Sequence, residues 1–548
     1  MKTLLEIENL RIQIKDKVLV DSLSLSLAKH QTIALVGESG SGKSLTALSL
    51  LGLHPNESTL QADRLDFNSN SLLDLDQKTW EQLRGNEIGM VFQEPQSSLN
   101  PSMRCGDQVL EVLQQHQKSN PISKEAVLEA FEGVLLPNPN RIYTAYPHEL
   151  SGGQKQRVMI AMAIICKPKL LICDEPTTAL DVTVQKEILN LLKQLQIQNR
   201  MSILFISHDL ALVKRFADRV LVMQKGRVVE QGSSKALFSD PKHPYTKGLL
   251  SARPPLKRRP VKLITVTDYM NKTTDAKEES KQGRKKRLKS LYNQQPLMEV
   301  KGISKSFPRN RFFWQKKEST EVLAPLSFDI YPGETLGLVG ESGSGKSTLG
   351  RTLSHLIPPT TGEVLFEGKP MGKKKSSKRM QLRKDIQFIF QDPLAALHPR
   401  KTIGKMLEEV LRHHNEKELL PRIEQLLNQV GLENEMQQRY PHQLSGGQRQ
   451  RAVIARALAP RPKLIICDEA VAALDISIQA QVLNLLNELK EKLSLSYLFI
   501  SHDMAVVRYM SDRVLVLNQG YLETLQEADM LFDRPKNNYV QKLIDAIN

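Results

Sequence analysis

The chain has 548 residues, of which 40% are hydrophobic and 25% charged, and this ordinary globular usage excludes a mostly disordered or collagen-like chain. At ~150 residues per domain, the length predicts roughly three to four compact units. The 76 basic and 60 acidic residues give a net charge of +16, which favours an anionic partner such as a nucleotide, a nucleic acid or a membrane surface.

The sequence lacks an apolar run of the ~20 residues that a bilayer span needs. Near the start, Glu6 and Glu8 interrupt the stretch where a signal peptide would be apolar. The four cysteines form neither a CxxC pair nor a metal-binding spacing. We therefore expect a soluble, cytoplasmic protein with reduced thiols.

Long motifs occur twice along the chain. GESGSGKS at Gly37–Ser44 recurs at Gly340–Ser347, and YPHELSGGQKQR from Tyr146 recurs as YPHQLSGGQRQR from Tyr440. Two copies of one domain explain this repetition. We predict domains at residues 1–250 and 297–548.

The segment between the copies, residues 251–296, contains RPPLKRRP and KQGRKKRLKS and lacks a sustained apolar period. The simplest interpretation is a basic, solvated linker that charge repulsion holds open. Contact with anionic lipid headgroups is the alternative.

Within each copy, short runs of Val, Ile and Leu alternate with helical patterns. In chain order TIALVG, KLLICDE and SILFISHD match TLGLVG, KLIICDE and SYLFISHD. Such runs predict buried strands of a parallel sheet, whose ligands gather at the carboxyl ends of the strands. Leucine-rich helical patterns near 100–150 and 398–444 predict an inserted helical subdomain in each copy. The fold class is α/β.

Both copies carry G-x-x-x-x-G-K-[ST] between a predicted strand and a helical pattern. Such a loop presents backbone N–H groups and a helix N-terminus to phosphates, its lysine reaches the terminal phosphates, and its serine can ligate Mg²⁺. One match is a weak signal, but two in the same context make chance a poor explanation. The predicted phosphate-binding residues are Gly37, Glu38, Ser39, Gly40, Ser41, Gly42, Lys43 and Ser44, and Gly340, Glu341, Ser342, Gly343, Ser344, Gly345, Lys346 and Ser347.

Each copy also has an apolar strand that ends in aspartate and glutamate, and a later strand that ends in ISHD. We expect the aspartate to hold the Mg²⁺ shell, the glutamate to polarise the water that attacks the terminal phosphate, and the histidine to sense the γ-phosphate. These residues are Asp174, Glu175 and His208 in the first copy, and Asp468, Glu469 and His502 in the second.

With these residues in place, both copies resemble ATP-binding cassette ATPases over nearly the whole chain outside the linker. The family's LSGGQ signature is present twice, at Leu150–Gln154 and Leu444–Gln448, and its Q-loop matches VFQEP and IFQDP. The resemblance implies a P-loop NTPase core with an antiparallel β subdomain in each copy, and ATP and Mg²⁺ as ligands. The nucleotide-binding residues that it implies are Gln93, Ser151, Gly152, Gly153 and Gln154, and Gln391, Ser445, Gly446, Gly447 and Gln448, with Gln93 and Gln391 also as metal ligands.

In this family two cassettes enclose two ATP molecules head to tail. The resemblance therefore implies that the Lys43 site is completed by the second signature, and the Lys346 site by the first. The D-loop aspartates of the family match Asp181 and Asp475.

Two departures from the family pattern predict unequal sites. The resemblance implies that an aromatic residue stacks on adenine, a role that Phe307 can fill, but Ile14 stands at the matching position in the first copy. DEPTTALD in the first copy becomes DEAVAALD in the second, where Ala470 and Val471 follow the glutamate. This change could alter the backbone conformation at the second glutamate. We therefore expect two sites that both hydrolyse ATP but at unequal rates.

Finer features resemble the peptide and nickel importer branch of the family: GESGSGKS, the NP or HP turn after the Q-loop, LDVTVQ and LDISIQ, and DPKHPYTKGLL. The resemblance implies import of a di- or oligopeptide or a peptide-like solute, with nickel or glutathione as alternatives. It also implies two separate transmembrane permease subunits, an external solute-binding protein, and a peripheral position on the cytoplasmic face of the inner membrane.

The competing hypothesis is a tandem-cassette translation factor that binds ribosomes. The length, charge and basic linker of this chain would fit such a factor. However, translation factors of this kind typically show DEPTNHLD and a second signature that ends in glutamate, whereas this chain has DEPTTALD, DEAVAALD and LSGGQ twice. A DNA-repair cassette is also disfavoured, because the chain shows no base-reading motif. A cassette that has lost its activity is disfavoured because the lysine, aspartate, glutamate and histidine are intact in both copies.

Overall fold

The computed structural model describes residues 2–116, 123–178, 180–256, 258–273, 277–308, 319–371, 376–472, 474–535 and 537–545. These residues form two compact units. Within the described residues, the first unit comprises Met1–Leu180, Val184–Ser251 and Val266–Thr273, and the second comprises Asp181–Thr183, Ala252–Thr265 and Thr274–Asn548.

The first unit contains two sheets. An antiparallel sheet has the order β2-β1-β5-β6, with β4 also paired to β1. The other sheet has the order β11-β10-β3-β9-β8-β7, and all its neighbouring strands are parallel except β10 and β11. The strands are β1 (Thr3–Ile14), β2 (Lys17–Ala28), β3 (Thr32–Val36), β4 (Ser58–Gln61), β5 (Arg64–Phe67), β6 (Asn70–Ser71), β7 (Ile88–Val91), β8 (Leu170–Asp174), β9 (Ser202–Ile206), β10 (Arg219–Gln224) and β11 (Arg227–Ser233).

The described helices up to residue 273 are α1 (Lys43–Ser49), α2 (Gln77–Leu83), α3 (Pro95–Ser98), α4 (Cys105–His116), α5 (Lys124–Gly133), α6 (Pro139–Thr144), α7 (Gly152–Ile164), α8 (Val182–Asn199), α9 (Leu210–Phe216), α10 (Ser234–Ser239), α11 (Pro244–Ser251) and α12 (Val266–Met270). A 3₁₀ turn at Pro147–Glu149 precedes α7.

The second unit repeats this plan. Its antiparallel sheet has the order β13-β12-β15-β16, and its mainly parallel sheet has the order β17-β18-β19-β14-β20-β21. The strands are β12 (Met298–Pro308), β13 (Ser319–Ile330), β14 (Thr335–Val339), β15 (Thr361–Phe366), β16 (Lys369–Pro370), β17 (Ile386–Ile389), β18 (Leu464–Asp468), β19 (Ser496–Ile500), β20 (Arg513–Asn518) and β21 (Tyr521–Glu527).

The remaining described helices are α13 (Lys281–Tyr292), α14 (Lys346–Leu353), α15 (Ser376–Asp385), α16 (Pro393–Ala396), α17 (Ile403–His413), α18 (Leu419–Gln429), α19 (Gly446–Leu458), α20 (Ile476–Leu493), α21 (Met504–Met510), α22 (Ala528–Asp533) and α23 (Asn538–Asp545). Short 3₁₀ segments lie at Asn434–Gln438 and Pro441–Gln443.

The apolar runs identified in the sequence are the central strands of the two mainly parallel sheets. Strands β3, β8 and β9 are buried at every residue, as are β14, β18 and β19. A parallel strand that is covered on both faces needs such a continuous apolar run, because alternation would place polar side chains in the core. The predicted α/β class, with parallel cores and antiparallel β subdomains in tandem, is confirmed.

The leucine-rich segments form the predicted helical insertions. In the first unit α4 and α5 pack against α6 and α7, and in the second α17 and α18 pack against α19. In both units the signature lies at the start of the helix on which the others pack, α7 and α19.

The prediction of an open, solvated linker is wrong for the described residues between 251 and 296; residues 257 and 274–276 lie outside them. Helix α13 buries Leu288 and Leu291, and Leu263 is also buried. Arg284, whose side chain is only 6% exposed, donates to Glu527 at 2.8 Å and forms an ion pair with Glu279 at 3.3 Å. Three arginines of the segment, Arg259, Arg284 and Arg287, therefore hold it against the second unit, whereas its described lysines are exposed.

These contacts converge on Asp512, which is 2% exposed at the start of β20. Its carboxylate accepts hydrogen bonds from Arg287 at 2.9 Å, Lys490 at 3.0 Å and the backbone N–H of Thr335 at 2.9 Å. Burial would raise the pKa of Asp512, but Lys490, Arg287 and the other donors hold it well below its usual value. The linker thus supplies a cation that neutralises a buried carboxylate in the second core.

Among the described residues of the first unit, the equivalent aspartate is Asp218, and its contacts differ from those of Asp512. Asp218 accepts from the backbone N–H of Thr32 at 2.8 Å. Gln196 stands where the second unit has Lys490, and it donates to the Thr32 hydroxyl at 3.0 Å. A neutral amide therefore replaces the half-buried lysine.

We predict that Asp512→Asn lowers the stability of the second unit by roughly 3–5 kcal/mol at pH 7, because it leaves the buried Arg284 and the partly buried Lys490 without the carboxylate that they share. The folded-state pKa of Asp512 lies below the unfolded value of about 3.9. Its stabilisation is therefore present above the unfolded pKa and is lost as the pH falls through the folded pKa. Hydrogen exchange of β20 in a urea series at pH 7 measures the first effect. Urea unfolding of the parent chain at pH 7 and at pH 2, below the unfolded pKa, measures the second.

The matched control is Asp533→Asn, because the Asp533 side chain is 58% exposed in its ion pair with Arg508. This control should change the exchange of β20 little. Equal loss of protection in the two variants would contradict the role given to Asp512.

Candidate functional site

The two phosphate loops have the same backbone conformation. Gly37 has φ 154° and Gly340 has φ 155°. A Cβ at Gly37 would lie 2.2 Å from the carbonyl oxygen of Met223, and one at Gly340 would lie 2.2 Å from that of Leu517. Only glycine fits where the loop meets the neighbouring strand, which explains the first glycine of the motif.

Each loop folds around its own lysine. The ammonium of Lys43 donates to the carbonyl oxygens of Gly37 and Glu38, both at 2.8 Å. Lys346 makes the same two bonds at 2.8 Å. Burial lowers the pKa of Lys346. The charge is held at the centre of the loop, where terminal phosphates are expected.

The loops have unused hydrogen-bonding capacity that fits phosphate oxygens. Among the described residues, the buried hydroxyls of Ser41 and Ser344 have no hydrogen-bond partner. Gly42 and Gly345 precede α1 and α14 in the left-handed conformation without a side-chain cap, so the helix N–H groups remain available to an anion.

A serine and an aspartate lie together beside each loop. The Ser44 hydroxyl donates to Asp174 at 3.1 Å, and that of Ser347 donates to Asp468 at 3.0 Å. Burial raises the pKa of both aspartates. Hydroxyl and carboxylate oxygens are suitable ligands for Mg²⁺, which ordinarily takes its other ligands from phosphates and water. The described residues hold no group of three His, Cys, Asp or Glu side chains that could bind a metal by themselves.

The predicted catalytic side chains also meet in the first unit. Glu175 Oε1 lies 3.0 Å from His208 Nδ1, and its Oε2 accepts from the Gln93 amide at 3.0 Å. Burial alone would raise the pKa of Glu175, but the hydrogen bond and charge of His208 and the charge of Lys43 hold it below its ordinary value. Burial would lower the pKa of His208, and its contact with Glu175 raises it instead. Glu175 is therefore ionised at neutral pH and can act as a base.

The second unit has the same cluster, with a longer histidine contact and a shorter glutamine contact. Glu469 Oε1 lies 3.5 Å from His502 Nδ1, and Oε2 accepts from Gln391 at 2.7 Å. The pKa of Glu469 is lowered through His502 against the opposing effect of burial. In both units the Q-loop amide donates to the glutamate; the metal-ligand role of Gln93 and Gln391 stays a prediction.

The glutamate backbone does not differ between the copies, contrary to what the Ala470 and Val471 replacements suggested. Glu175 has φ 48° and Glu469 has φ 50°. The difference lies in a side chain that the sequence analysis missed: the Thr178 hydroxyl donates to Glu175 Oε2 at 3.0 Å. Its counterpart is Ala472, which has no hydroxyl. The difference between Thr178 and Ala472 is visible in the sequence and could have indicated this lost hydrogen bond.

The signature residues form helix caps within their own units. Ser151 and Gln154 exchange two bonds at the start of α7, from Gln154 N–H to the Ser151 hydroxyl at 3.3 Å and from Ser151 N–H to the Gln154 amide oxygen at 3.1 Å. Ser445 and Gln448 form the same capping box at α19. Nucleotide contact by Ser151, Gly152, Gly153 and Gln154, and by Ser445, Gly446, Gly447 and Gln448, stays a prediction.

Two further sequence-based assignments concern adenine. Phe307 lies near the end of β12 with 40% of its surface exposed, and Lys305 Nζ lies 5.0 Å from the centre of its ring. Ile14 is the last residue of β1 and is half-buried. Phe307 is available to a planar base, and its role in stacking stays a prediction.

Among the helices that the structure describes, none combines the length and the apolar character required for a bilayer crossing.

Comparison with known proteins assigns the chain to a family. Residues 20–178 and 323–472 match the ABC transporter family, and residues 229–281 match the family described as oligopeptide/dipeptide transporter, C-terminal region. The chain is 44% identical to the glutathione import ATP-binding protein GsiA of Escherichia coli (strain K12) over 562 aligned positions, which cover 99% of this chain and 89% of the relative. The same values hold for the GsiA protein of Shigella flexneri.

A solved structure, cbiO1 from Clostridium perfringens, described as part of the ABC transporter complex cbiONQ, aligns with a TM-score of 0.39 and 26% identity. The alignment covers 44% of this chain and 92% of that one.

We predict that the glutamate of the first unit is the more effective base, because Thr178 and a closer histidine hold it. Glu175→Gln should therefore remove the larger share of single-turnover ATP hydrolysis, and Glu469→Gln the smaller. Equal residual rates in the two variants would contradict this inequality.

The contribution of Thr178 is tested by Thr178→Ala, which removes one hydrogen bond worth about 1 kcal/mol. We expect single-turnover hydrolysis in the Glu469→Gln background to slow roughly two- to tenfold. Thr144→Ala, at an exposed helical threonine, is the control and should leave the rate unchanged. An unchanged rate in Thr178→Ala would show that this hydroxyl does not support the glutamate.

Proposed function

Because the chain belongs to the ABC transporter family, we propose that it is the ATP-hydrolysing subunit of an importer for glutathione or other peptides. The observation that carries this proposal is the 44% identity to glutathione import ATP-binding proteins over 99% of the chain. The match of residues 229–281 to the C-terminal region of oligopeptide/dipeptide transporters supports the same class of cargo.

The chemistry follows from the cluster at each phosphate loop. Lys43 and the N–H groups of the loop bind the terminal phosphates and orient them. Glu175 accepts the proton of the attacking water, while His208 and Gln93 hold its carboxylate in place. Ser44 and Asp174 would hold Mg²⁺, which when bound neutralises charge on the phosphates.

We further propose that residues 1–250 and 297–548 act as two cassettes that enclose two ATP molecules head to tail. Each copy supplies one phosphate loop and one signature helix, and the capping serine and the first glycine of each signature helix are exposed. A serine hydroxyl and backbone N–H groups at a helix start can bind the γ-phosphate of ATP held by the other cassette. ATP would then join the cassettes, and hydrolysis would release them.

The partners in this proposal are two transmembrane permease subunits and, indirectly, an external solute-binding protein. The chain would lie at the cytoplasmic face of the inner membrane, where ATP is available. The relatives named above are import ATP-binding proteins, which favours this assembly over a ribosome-associated translation factor. Nickel is disfavoured as cargo, because the relatives and the matched C-terminal region concern glutathione and peptides.

The proposal predicts that the tagged double variant Glu175→Gln, Glu469→Gln, purified gently from membranes with ATP, carries two multi-spanning permeases with it. Blocked hydrolysis should hold the cassettes closed and preserve the complex. The control is the double variant Lys43→Ala, Lys346→Ala, which weakens ATP binding and should respond little to added ATP. Recovery of ribosomal proteins or nucleic acid in place of permeases would contradict the proposal.

A further inference from the structure

A tyrosine near the C-terminal end of each unit reaches back to the phosphate loop. The hydroxyl of Tyr245 accepts a hydrogen bond from the backbone N–H of Glu38 at 3.2 Å. The hydroxyl of Tyr539 accepts from the backbone N–H of Glu341 at the same distance. The two contacts join equivalent positions, so the arrangement occurs independently in both copies.

The contacted amide belongs to the part of the loop that binds the lysine of the motif. Glu38 is the second residue of the motif, and its carbonyl oxygen accepts from Lys43. Glu341 bonds Lys346 in the same way. The carbonyl oxygen of this residue therefore accepts from the lysine, while its N–H group donates to the tyrosine hydroxyl.

The tyrosines are placed firmly enough to act as anchors. Tyr245 is fully buried on α11. Tyr539 is half-buried on α23, and its hydroxyl lies 3.5 Å from the carbonyl oxygen of Leu517, the strand residue that Gly340 approaches. Burial raises the pKa of Tyr539, which keeps its hydroxyl protonated at neutral pH. That hydroxyl links the loop to the neighbouring strand.

The helices that carry the tyrosines are fixed by different contacts. Glu230 accepts from the backbone N–H of His243 at 3.0 Å, and His243 Nδ1 accepts from the N–H of Tyr245 at 3.2 Å. In the second unit Asn537 caps α23 through the N–H of Val540 at 2.8 Å. The HPYT sequence has changed to NNYV, yet the tyrosine and its bond to the loop are retained.

We propose that Tyr245 and Tyr539 are positioning residues for ATP binding: each hydroxyl fixes the second residue of a phosphate loop and thereby holds the loop and its lysine in the phosphate-binding conformation. This inference rests on ATP binding by the two loops, as in the proposed function, but not on the identity of the cargo. It also assigns a role to α11 and α23, the helices that carry the two tyrosines: each supports a phosphate loop through one hydrogen bond.

The test uses Tyr245→Phe and Tyr539→Phe, singly and together, in the full chain. Phenylalanine retains the buried ring and removes only the hydroxyl. In the Glu175→Gln, Glu469→Gln background, the dissociation constant of MgATP should rise roughly two- to tenfold at each altered site, as expected for the loss of one hydrogen bond. With the glutamates intact, KM for ATP should rise while kcat changes little, because the catalytic cluster is untouched.

Hydrogen exchange separates loop positioning from a general loss of stability. In the phenylalanine variants exchange should accelerate at Glu38 or Glu341, while the melting temperature and the exchange of the central strands stay near those of the parent. Tyr521→Phe, at a tyrosine that is 61% exposed, is the control and should alter neither binding nor exchange.

Unchanged MgATP binding, or unchanged exchange at the loop amides, would overturn the inference. A lower melting temperature without a local change at the loop would also overturn it, because the tyrosine would then serve only the stability of the fold. Failure of the unaltered protein to bind MgATP would instead refute the proposed function.

Discussion

The carboxyl ends of buried parallel strands meet at one edge of each mainly parallel sheet, and the whole candidate site depends on this alignment. In the first unit β3 leads into the phosphate loop, β8 ends at Asp174 and Glu175, β9 is followed by His208, and β7 is followed by Gln93. These segments are far apart in the chain but adjacent in the sheet. Because these strands are fully buried or nearly so, a shift in register would misplace every side chain at this edge.

The parts of the molecule that follow local rules could be predicted from the sequence. Continuous apolar runs predicted the central strands, and the phosphate-loop motifs predicted Lys43 and Lys346 at their helix starts. The linker was misjudged because its arginines look solvated when only neighbours in the sequence are considered. Their partners, Asp512 and Glu527, lie more than two hundred residues further on. The contacts of Thr178 and Tyr245 likewise could not be predicted from the spacing of motifs in the sequence, because they depend on the side-chain geometry of the folded unit.

The two copies share a backbone but differ in the side chains that support the proposed catalytic glutamate and the core. The first glutamate has a threonine hydroxyl and a histidine at 3.0 Å, whereas the second has an alanine and a histidine at 3.5 Å. The second core buries Asp512 with Lys490 and a linker arginine, whereas the first uses a neutral glutamine. The lysine, serine, aspartate and glutamine contacts at the phosphate loop recur in both copies, and the differences lie in the side chains around them.

Transport in a reconstituted system tests the central claim most directly. The chain and its permeases are placed in proteoliposomes with ATP inside and with the solute-binding protein and labelled glutathione or peptides outside. The account predicts accumulation that requires internal ATP and that is abolished by the Glu175→Gln, Glu469→Gln double variant. Accumulation that is unaffected by this variant, or ATP hydrolysis without any accumulation of these solutes, would contradict it.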